Sequence, residues 1–314
     1  MKACIDIGGT KVAVSLNAGR GTELMAHRAE PTAKAGGRDA LARQVIRMVD
    51  ESCAQAGVDP SAVQRAGVSS CGPFVLQSGL VELAAPNICG GIAGRKDSPN
   101  DWVTAPLEAP LRARFSQELR VENDGVASLE AERRWGALQG IDHCAYVTWS
   151  TGIGVGLCVD GRTLRGKNGN AGHAGHMFVS DNQEARCGCG NAGDLEALVA
   201  GNSLPSRFGL DGAALMQLAK AQDASARACV DELCRLMGRA LYNLIVTLDL
   251  QKISLGGSVF WNSRDYLLPK LRAEVAGKMP ALSAGCELVA AGLGARIGDY
   301  AALALMADDV ADRP

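Results

Sequence analysis

A glycine-rich segment near the N-terminus carries the first residues that could do chemistry. The segment reads DIGGTK and contains Asp6, Gly8, Gly9, Thr10 and Lys11. Glycines lack a Cβ atom, so backbone N–H groups in such a turn can approach an anion closely. Asp6 could hold a phosphate-bound Mg²⁺ through water, because Mg²⁺ prefers oxygen ligands and keeps several waters. The segment matches neither GxxxxGK[ST] nor GxGxxG, and an ordinary hairpin turn is the alternative interpretation.

Two further glycine elements lie in the second half of the chain. Thr151 and Gly152 belong to the sequence STGIG, a second candidate phosphate turn, and Gly256 and Gly257 follow a short apolar strand where a base or ribose could bind. Each is a weak signal alone. Residues 5–19 and 147–161 nevertheless share one pattern of strand, Gly/Thr turn and second strand. The repeat predicts a duplicated domain with both turns facing one cleft; two unrelated hairpins are the alternative.

A Glu-Asn-Asp sequence at residues 122–124 closes a predicted strand and opens a predicted helix. A carboxylate at that point lies at the edge of a sheet, where ligand crevices form. Asn123 and Asp124 are equally suited to capping the helix, so the residues alone leave both interpretations open.

The most specific group of residues combines histidine, cysteine and carboxylate side chains. It contains His173, His176, Cys187, Cys189, Asp194 and Glu196. Glycines 188, 190 and 193 allow the segment to fold tightly, and an imidazole with two thiolates suits tetrahedral Zn²⁺. Asp194 is a possible fourth ligand. The alternative is two unrelated thiols and core histidines.

Apolar patterning predicts an alternation of strands and helices around these motifs. Strands are predicted at 4–7, 12–16, 63–70, 119–122, 145–149, 155–159 and 253–255, and helices at 41–48, 125–135, 226–250 and 297–306. Residues 90–100 are rich in Gly, Asp, Ser and Pro, which predicts a loop.

Composition excludes several classes of protein. The 314 residues carry 32 Lys and Arg against 34 Asp and Glu, a net charge of −2, and only 4% aromatic residues. Nucleic-acid binders usually show a basic surface or stacking aromatics, so that class is disfavoured. The sequence has no apolar run of about 18 residues and no signal-peptide layout, which excludes a membrane span and predicts a cytoplasmic protein with reduced cysteines.

Together the motifs resemble the ROK family of bacterial sugar kinases and repressors. The resemblance covers nearly the whole chain and follows the family's order of motifs: DIGGTK, GVSSCGP, ENDG, STGIGVG, GHMFV…CGCGNAGDLE and LGGSV. It implies an α/β actin-like ATPase (ribonuclease H-like) fold with two domains around a central cleft. The expected domains are residues 1–123, completed by a C-terminal helix at about 298–314, and residues 124–297 with the zinc-motif loop.

The resemblance also implies roles. Asp124 is expected to be the general base, Asn123 and Glu196 to bind the sugar, and His176 to bind both sugar and zinc. Two residues depart from the family pattern: Asp194 replaces a third cysteine, and His173 replaces a glutamate of ExGH. The AGHAGH sequence is similar to that of some N-acetylmannosamine kinases.

The implied activity is phosphorylation of a hexose at its 6-hydroxyl by ATP and Mg²⁺, as in glucokinases, by a homodimer that binds neither nucleic acid nor membrane. An N-acetylmannosamine kinase is the alternative substrate assignment. A non-catalytic sugar sensor and an actin-like ATPase serving as an interaction protein are alternatives of other classes. The presence of Asp124 disfavours the first, and the sugar-side residues disfavour the second.

Overall fold

The computed structural model describes residues 1–19, 21–92, 99–181 and 183–307, so part of the predicted loop at 90–100 and the C-terminal residues 308–314 lie outside the described residues. The chain divides into two compact units. Unit 1 comprises Met1–Ala131, Arg165–Ala171 and Gly298–Pro314, and unit 2 comprises Glu132–Leu164 and Gly172–Ile297. The predicted domain boundary at 123/124 stays a prediction.

The strands of the described residues form three sheets. In chain order they are β1 (Lys2–Ile7), β2 (Lys11–Asn17), β3 (Leu24–Pro31), β4 (Arg65–Ser70), β5 (Phe74–Gln77), β6 (Leu80–Leu83), β7 (Ala105–Pro106), β8 (Glu118–Asn123), β9 (Cys144–Trp149), β10 (Ile153–Val159), β11 (Arg162–Thr163), β12 (Lys252–Gly256) and β13 (Glu287–Ala290).

The described residues also form helices, several of which pack on these sheets. In chain order they are α1 (Ala40–Ala56), α2 (Glu108–Arg114), α3 (Asp124–Trp135), α4 (Leu195–Val199), α5 (Leu204–Phe208), α6 (Gly212–Lys220), α7 (Ala224–Leu248), α8 (Ser258–Trp261), α9 (Arg264–Val275), α10 (Pro280–Ser283) and α11 (Ile297–Ala304). None of the helices in the described part of the chain is both long and apolar enough to cross a membrane.

The main sheets of the two units have the same topology. In unit 1 the order is β3-β2-β1-β4-β8, and in unit 2 it is β11-β10-β9-β12-β13. In each, the first three strands are antiparallel, and the last three are parallel to one another. The two hairpins of the predicted repeat are therefore β1–β2 and β9–β10, which occupy equivalent positions in their sheets. A smaller antiparallel sheet, β5-β6-β7, belongs to unit 1.

Local sequence explains where the helices begin and end. Helix α7 starts after Asp223, whose carboxylate accepts a hydrogen bond from the Ala226 N–H at 2.8 Å, and it ends at Asp249 in the left-handed conformation. Helix α1 buries one face, including Leu41, Val45 and Met48, and ends at Gly57, whose φ of 66° suits glycine. The apolar faces of these helices pack into separate cores in the two units.

Candidate active site and metal centre

The first glycine turn, Gly8–Thr10, connects β1 to β2 and is held by polar contacts. The Gly8 N–H donates to the Lys11 carbonyl at 2.8 Å, and the Thr32 hydroxyl donates to the Gly8 carbonyl at 2.7 Å. A Cβ atom on Gly9 would lie 1.9 Å from the side-chain nitrogen of Asn87. This close approach requires glycine at position 9 unless Asn87 moves, while Thr10 and Lys11 are exposed beside it.

Three parallel strands of unit 1 end at the same edge and bring its polar residues together. Asp6 of β1 is in register with Ser69 of β4 and Glu122 of β8, so Asn123 and Asp124 follow at that edge. The Ser69 hydroxyl donates to Asp6 Oδ1 at 3.0 Å, but burial dominates and raises the pKa of Asp6. A partly buried carboxylate whose charge is penalised in this way suits a cation as partner.

Asn123 and Asp124 both contact the first turn of α3. The Gly125 N–H lies 3.0 Å from Asn123 Oδ1 and 2.8 Å from Asp124 Oδ1. Asn123 is buried, whereas Asp124 is partly exposed. The two interpretations left open by the sequence are therefore compatible, since Asn123 Oδ1 caps α3 through the Gly125 N–H while the Asp124 side chain keeps access to solvent.

Cys71 lies close to these carboxylates, and it belongs to the GVSSCGP motif without having been predicted as a site residue. Burial raises the pKa of its thiol, and the negative charges of Asp124 and Asp6 raise it further. The thiol is therefore neutral and adds no charge beside Asp6 and Asp124.

The second glycine turn, Ser150–Gly152, connects β9 to β10 in unit 2 and lies beside the Gly256-Gly257 pair. The register pairs Gly256 with Thr148, two residues before this turn. Gly257 has a φ of 86°, and a Cβ atom there would lie 2.5 Å from the backbone of Trp149. Unit 2 thus brings together both of its predicted nucleotide-binding elements.

Two glycines place the AGHAGH segment against β10. A Cβ atom on Gly172 would lie 2.0 Å from the Val155 carbonyl oxygen, and one on Gly175 would lie 2.6 Å from that of Ile153. This packing fixes the backbone on either side of His173. The His173 and His176 rings face each other with centroids 6.2 Å apart.

The donor cluster consists of His176, Cys187, Cys189 and Asp194, whose ligand atoms all lie within 4.8 Å of one another. His176 Nδ1 is 3.0 Å from Asp194 Oδ2, 3.6 Å from Cys189 Sγ and 3.9 Å from Cys187 Sγ. Cys189 Sγ is 3.6 Å from Asp194 Oδ2. In a tetrahedral zinc site, the known metal–ligand bond lengths separate neighbouring ligand atoms by about 3.3–3.8 Å. The four residues therefore fit Zn²⁺ in both chemistry and spacing, and His173 lies outside the group.

The two carboxylate oxygens of Asp194 make different contacts. Oδ1 accepts from the Ala197 N–H at 2.8 Å and caps α4, while Oδ2 faces the donor cluster and accepts from Asn191 at 3.2 Å. Burial raises the pKa of this carboxyl, but hydrogen bonds from His176, Ala197 and Asn191 outweigh it and leave the pKa below its ordinary value. Asp194 is thus an anionic donor within the cluster.

Glu196 lies two residues further along and contacts the second glycine turn. Its Oε2 accepts from the Ile153 N–H at 2.9 Å, and its Oε1 lies 3.4 Å from Cys187 Sγ. Sequence reasoning could not find this contact, since 43 positions separate the two residues and nothing local marks it. Thr32, Asn87 and Ser69 were missed for the same reason.

Comparison with known proteins agrees with the motifs. The ROK family model matches residues 2–308. A glucokinase from Aeropyrum pernix is 28% identical over 99% of this chain and 98% of its own length. An N-acetylmannosamine kinase from Salmonella typhimurium is 30% identical over 81% of this chain and 82% of its own length.

A solved structure agrees as well. The ROK hexokinase from Thermus thermophilus is 30% identical, with a TM-score of 0.76 and 96% of each chain covered. The α/β actin-like ATPase fold expected from the resemblance is thereby confirmed. Because the family model spans residues 2–308 of the 314, the chain belongs to the ROK family.

Proposed function

We propose that this protein transfers the γ-phosphoryl group of ATP to the 6-hydroxyl of a hexose, as a glucokinase does. The observation that carries the proposal is the arrangement of Asp6, Asn123 and Asp124 in unit 1. Asp6 lies near the end of β1, and Asn123 and Asp124 lie at the end of β8, with the parallel strand β4 between these two strands and the first glycine turn directly after β1. Relatives named glucokinase and hexokinase support the same reaction class.

Asp124 is the proposed general base. Its partly exposed carboxylate accepts the proton of the attacking hydroxyl, a contribution typically worth about 10²–10⁴-fold. The hydrogen bond from the Gly125 N–H fixes the carboxylate at the start of α3. Asn123 is proposed to bind a sugar hydroxyl and so orient the acceptor oxygen.

The glycine elements are proposed to bind the nucleotide. Phosphoryl transfer depends mostly on positioning and charge neutralisation, which the backbone N–H groups of Gly9 and Gly152 can supply together with the hydroxyls of Thr10 and Thr151. Gly8, whose N–H donates to the Lys11 carbonyl, is proposed to shape the turn. Lys11, exposed next to the first turn, adds a positive charge. Gly256 and Gly257 are the proposed nucleoside-side contact. Bound Mg²⁺ would neutralise phosphate charge, and Asp6 is the residue proposed to hold it through water.

The sugar side is proposed to include His173, His176 and Glu196. One observation favours N-acetylmannosamine as a second candidate substrate. His173 stands in an AGHAGH segment, and relatives with that kinase name match four fifths of the chain. An imidazole offers a donor and an acceptor where a glutamate only accepts, so this position distinguishes the two sugars chemically.

The donor cluster is proposed to hold one structural Zn²⁺ per chain. The spacing of His176, Cys187, Cys189 and Asp194 supports it, with Asp194 as a monodentate ligand through Oδ2. We further propose a homodimer, which light scattering of the purified protein would test, and a division between the two predicted domains at residues 123/124.

A coupled assay for ADP release tests the proposed activity. Glucose, mannose, N-acetylmannosamine and N-acetylglucosamine are compared, each with ATP and Mg²⁺, and a sugar-free reaction is the control. Sugar-dependent ADP release with a 6-phosphorylated product supports the proposal. ADP release without sugar dependence would indicate an actin-like ATPase instead, and sugar binding without turnover would indicate a sensor.

A further inference from the structure

The second glycine turn packs along one short segment of unit 2. Four hydrogen bonds join residues 149–153 to residues 196–202. Their partners are Trp149 Nε1 with the Val199 carbonyl (2.7 Å), the Gly201 N–H with the Ser150 carbonyl (2.8 Å), the Asn202 N–H with the Thr151 carbonyl (3.2 Å) and the Ile153 N–H with Glu196 Oε2 (2.9 Å). The position of the turn is therefore set by α4 and the residues that follow it.

Glu196 is the only member of that segment that contributes a side chain to these four bonds. It also packs tightly on the turn, because a Cβ atom on Gly152 would lie 2.8 Å from Oε2. Glycine at position 152 thus permits the close approach of the carboxylate. The other oxygen, Oε1, lies 3.4 Å from Cys187 Sγ in the donor cluster.

The same short helix is attached to the donor cluster at its other end. Asp194 caps α4 through Oδ1 and faces His176 and Cys189 through Oδ2. The donor cluster therefore fixes the start of the helix on which the glycine turn rests. Glu196 adds a second link, since one carboxylate contacts both the cluster and the turn.

We infer that Glu196 is a positioning residue for nucleotide binding, and that it couples occupancy of the donor cluster by metal to the affinity of the second glycine turn for nucleotide. The inference rests on the proposed function, because it takes this turn as a phosphate site. It extends the role expected for Glu196, which the family resemblance confines to the sugar.

The test measures nucleotide and sugar binding separately by calorimetry, using AMPPNP with Mg²⁺ in the absence of sugar and glucose in the absence of nucleotide. Glu196→Ala is expected to weaken AMPPNP binding by about 10-fold or more, the loss typical of a hydrogen bond to a charged group. Glu196→Gln keeps an oxygen that can accept from the Ile153 N–H, so its AMPPNP affinity should stay within about threefold of the wild type. Asp265→Ala, at a side chain that is 95% exposed, is the matched control.

Two further measurements separate positioning from a general loss of structure. Hydrogen exchange of the Ile153 amide should accelerate in Glu196→Ala and in protein stripped of metal, and added Zn²⁺ should restore protection only in protein that keeps Glu196. Gly152→Ala should weaken AMPPNP binding in the otherwise wild-type protein. The same substitution should lower AMPPNP affinity much less in the Glu196→Ala variant, because the clash with Oε2 is then gone.

The outcomes distinguish this inference from the proposed function. Wild-type protein that binds no AMPPNP would overturn both. Wild-type protein that binds AMPPNP, with unchanged affinity and exchange in Glu196→Ala, would overturn this inference alone. A Glu196→Ala variant that loses only glucose affinity would assign the residue to the sugar and would likewise overturn it.

Discussion

The sheets of the two units share a strand order but differ in the residues at their strand ends. In unit 1, β1 ends near Asp6, and β8 ends in Asn123 and Asp124. The equivalent positions of unit 2 carry Thr148, near the end of β9, Ala290, the last residue of β13, and Ala291, which follows it. The duplicated architecture thus supplies two glycine turns, whereas the strand-end carboxylates proposed for Mg²⁺ binding and proton transfer lie in unit 1.

The two turns are also held by different means. The first is fixed by Thr32, which bonds the Gly8 carbonyl, and by the packing of Asn87 on Gly9. The second rests on α4 and its following residues, next to the donor cluster. Each unit thus supports its own glycine turn with different local contacts, and the supports of unit 2 include the candidate metal ligand Asp194, which caps α4.

The sharpest test of this asymmetry is Asp124→Asn. The amide oxygen can still accept from the Gly125 N–H, so the fold and sugar binding should persist, but the amide cannot take a proton. We expect kcat to fall by about 10²–10⁴-fold with little change in the sugar KM. Steady-state kinetics with Asp265→Asn as the exposed control would measure the effect. Near-normal turnover would show that Asp124 is not the general base. It would also contradict the proposal that unit 1 supplies the carboxylate for proton transfer.

Gly9→Val tests whether the first turn binds phosphate. A branched side chain would clash with Asn87 and push the turn or the triphosphate away, so we expect the KM for ATP to rise by roughly 10-fold, more than the KM for sugar. A G9V/N87A double variant relieves the clash and should recover part of the loss. An unchanged KM for ATP in a folded G9V protein would show that the two turns are not equivalent in function.

His173→Glu tests substrate choice within unit 2. The exchange removes one donor and supplies an acceptor, and one good hydrogen bond is worth roughly 1–3 kcal/mol, or about 5- to 150-fold. We expect the ratio of kcat/KM for glucose to that for N-acetylmannosamine to rise in this range. A ratio that moves by less than about twofold would assign specificity to other residues.

Strong local patterns made much of the fold predictable. The helix predicted at 226–250 is α7, Ala224–Leu248, and the strand predicted at 119–122 is β8, Glu118–Asn123. Strand β3 was not predicted from the sequence. Its residues alternate between partly buried and exposed, its exposed positions include His27 and Ala29, and its pairing with β2 contains an irregularity. An edge strand is specified by its neighbour more than by its own composition.

The candidate site also combines residues that local sequence patterns mark and contacts between residues far apart in the chain. Glycines, the ENDG sequence and the His/Cys/Asp spacing marked residues whose chemistry is visible in sequence. The contacts that hold them, such as Thr32 on Gly8 and Glu196 on Ile153, join positions 24 and 43 residues apart. No local spacing marks contacts over such separations, so the folded chain is needed to identify them.

The smallest expected effect concerns Asp194, whose two oxygens serve the helix cap and the donor cluster. We expect about one Zn²⁺ per purified chain by metal analysis. Asp211→Ala is the matched control for capping, since Asp211 caps α6 through the Ala214 N–H at 2.8 Å outside the cluster; losing such a cap costs about 1 kcal/mol with or without zinc.

Asp194→Ala should show that capping cost plus a loss of zinc affinity, whereas Asp194→Asn should keep the cap and lose only zinc affinity, because an amide is a weaker ligand than a carboxylate. Asp194→Cys should bind zinc more tightly while losing the cap. Urea unfolding with and without a chelator, together with zinc titration, separates the capping contribution to stability from the change in zinc affinity. If Asp194→Asn binds zinc as tightly as the wild type, Asp194 acts only as a helix cap, and the support of the second glycine turn would rest on Glu196 and the backbone of residues 199–202 alone.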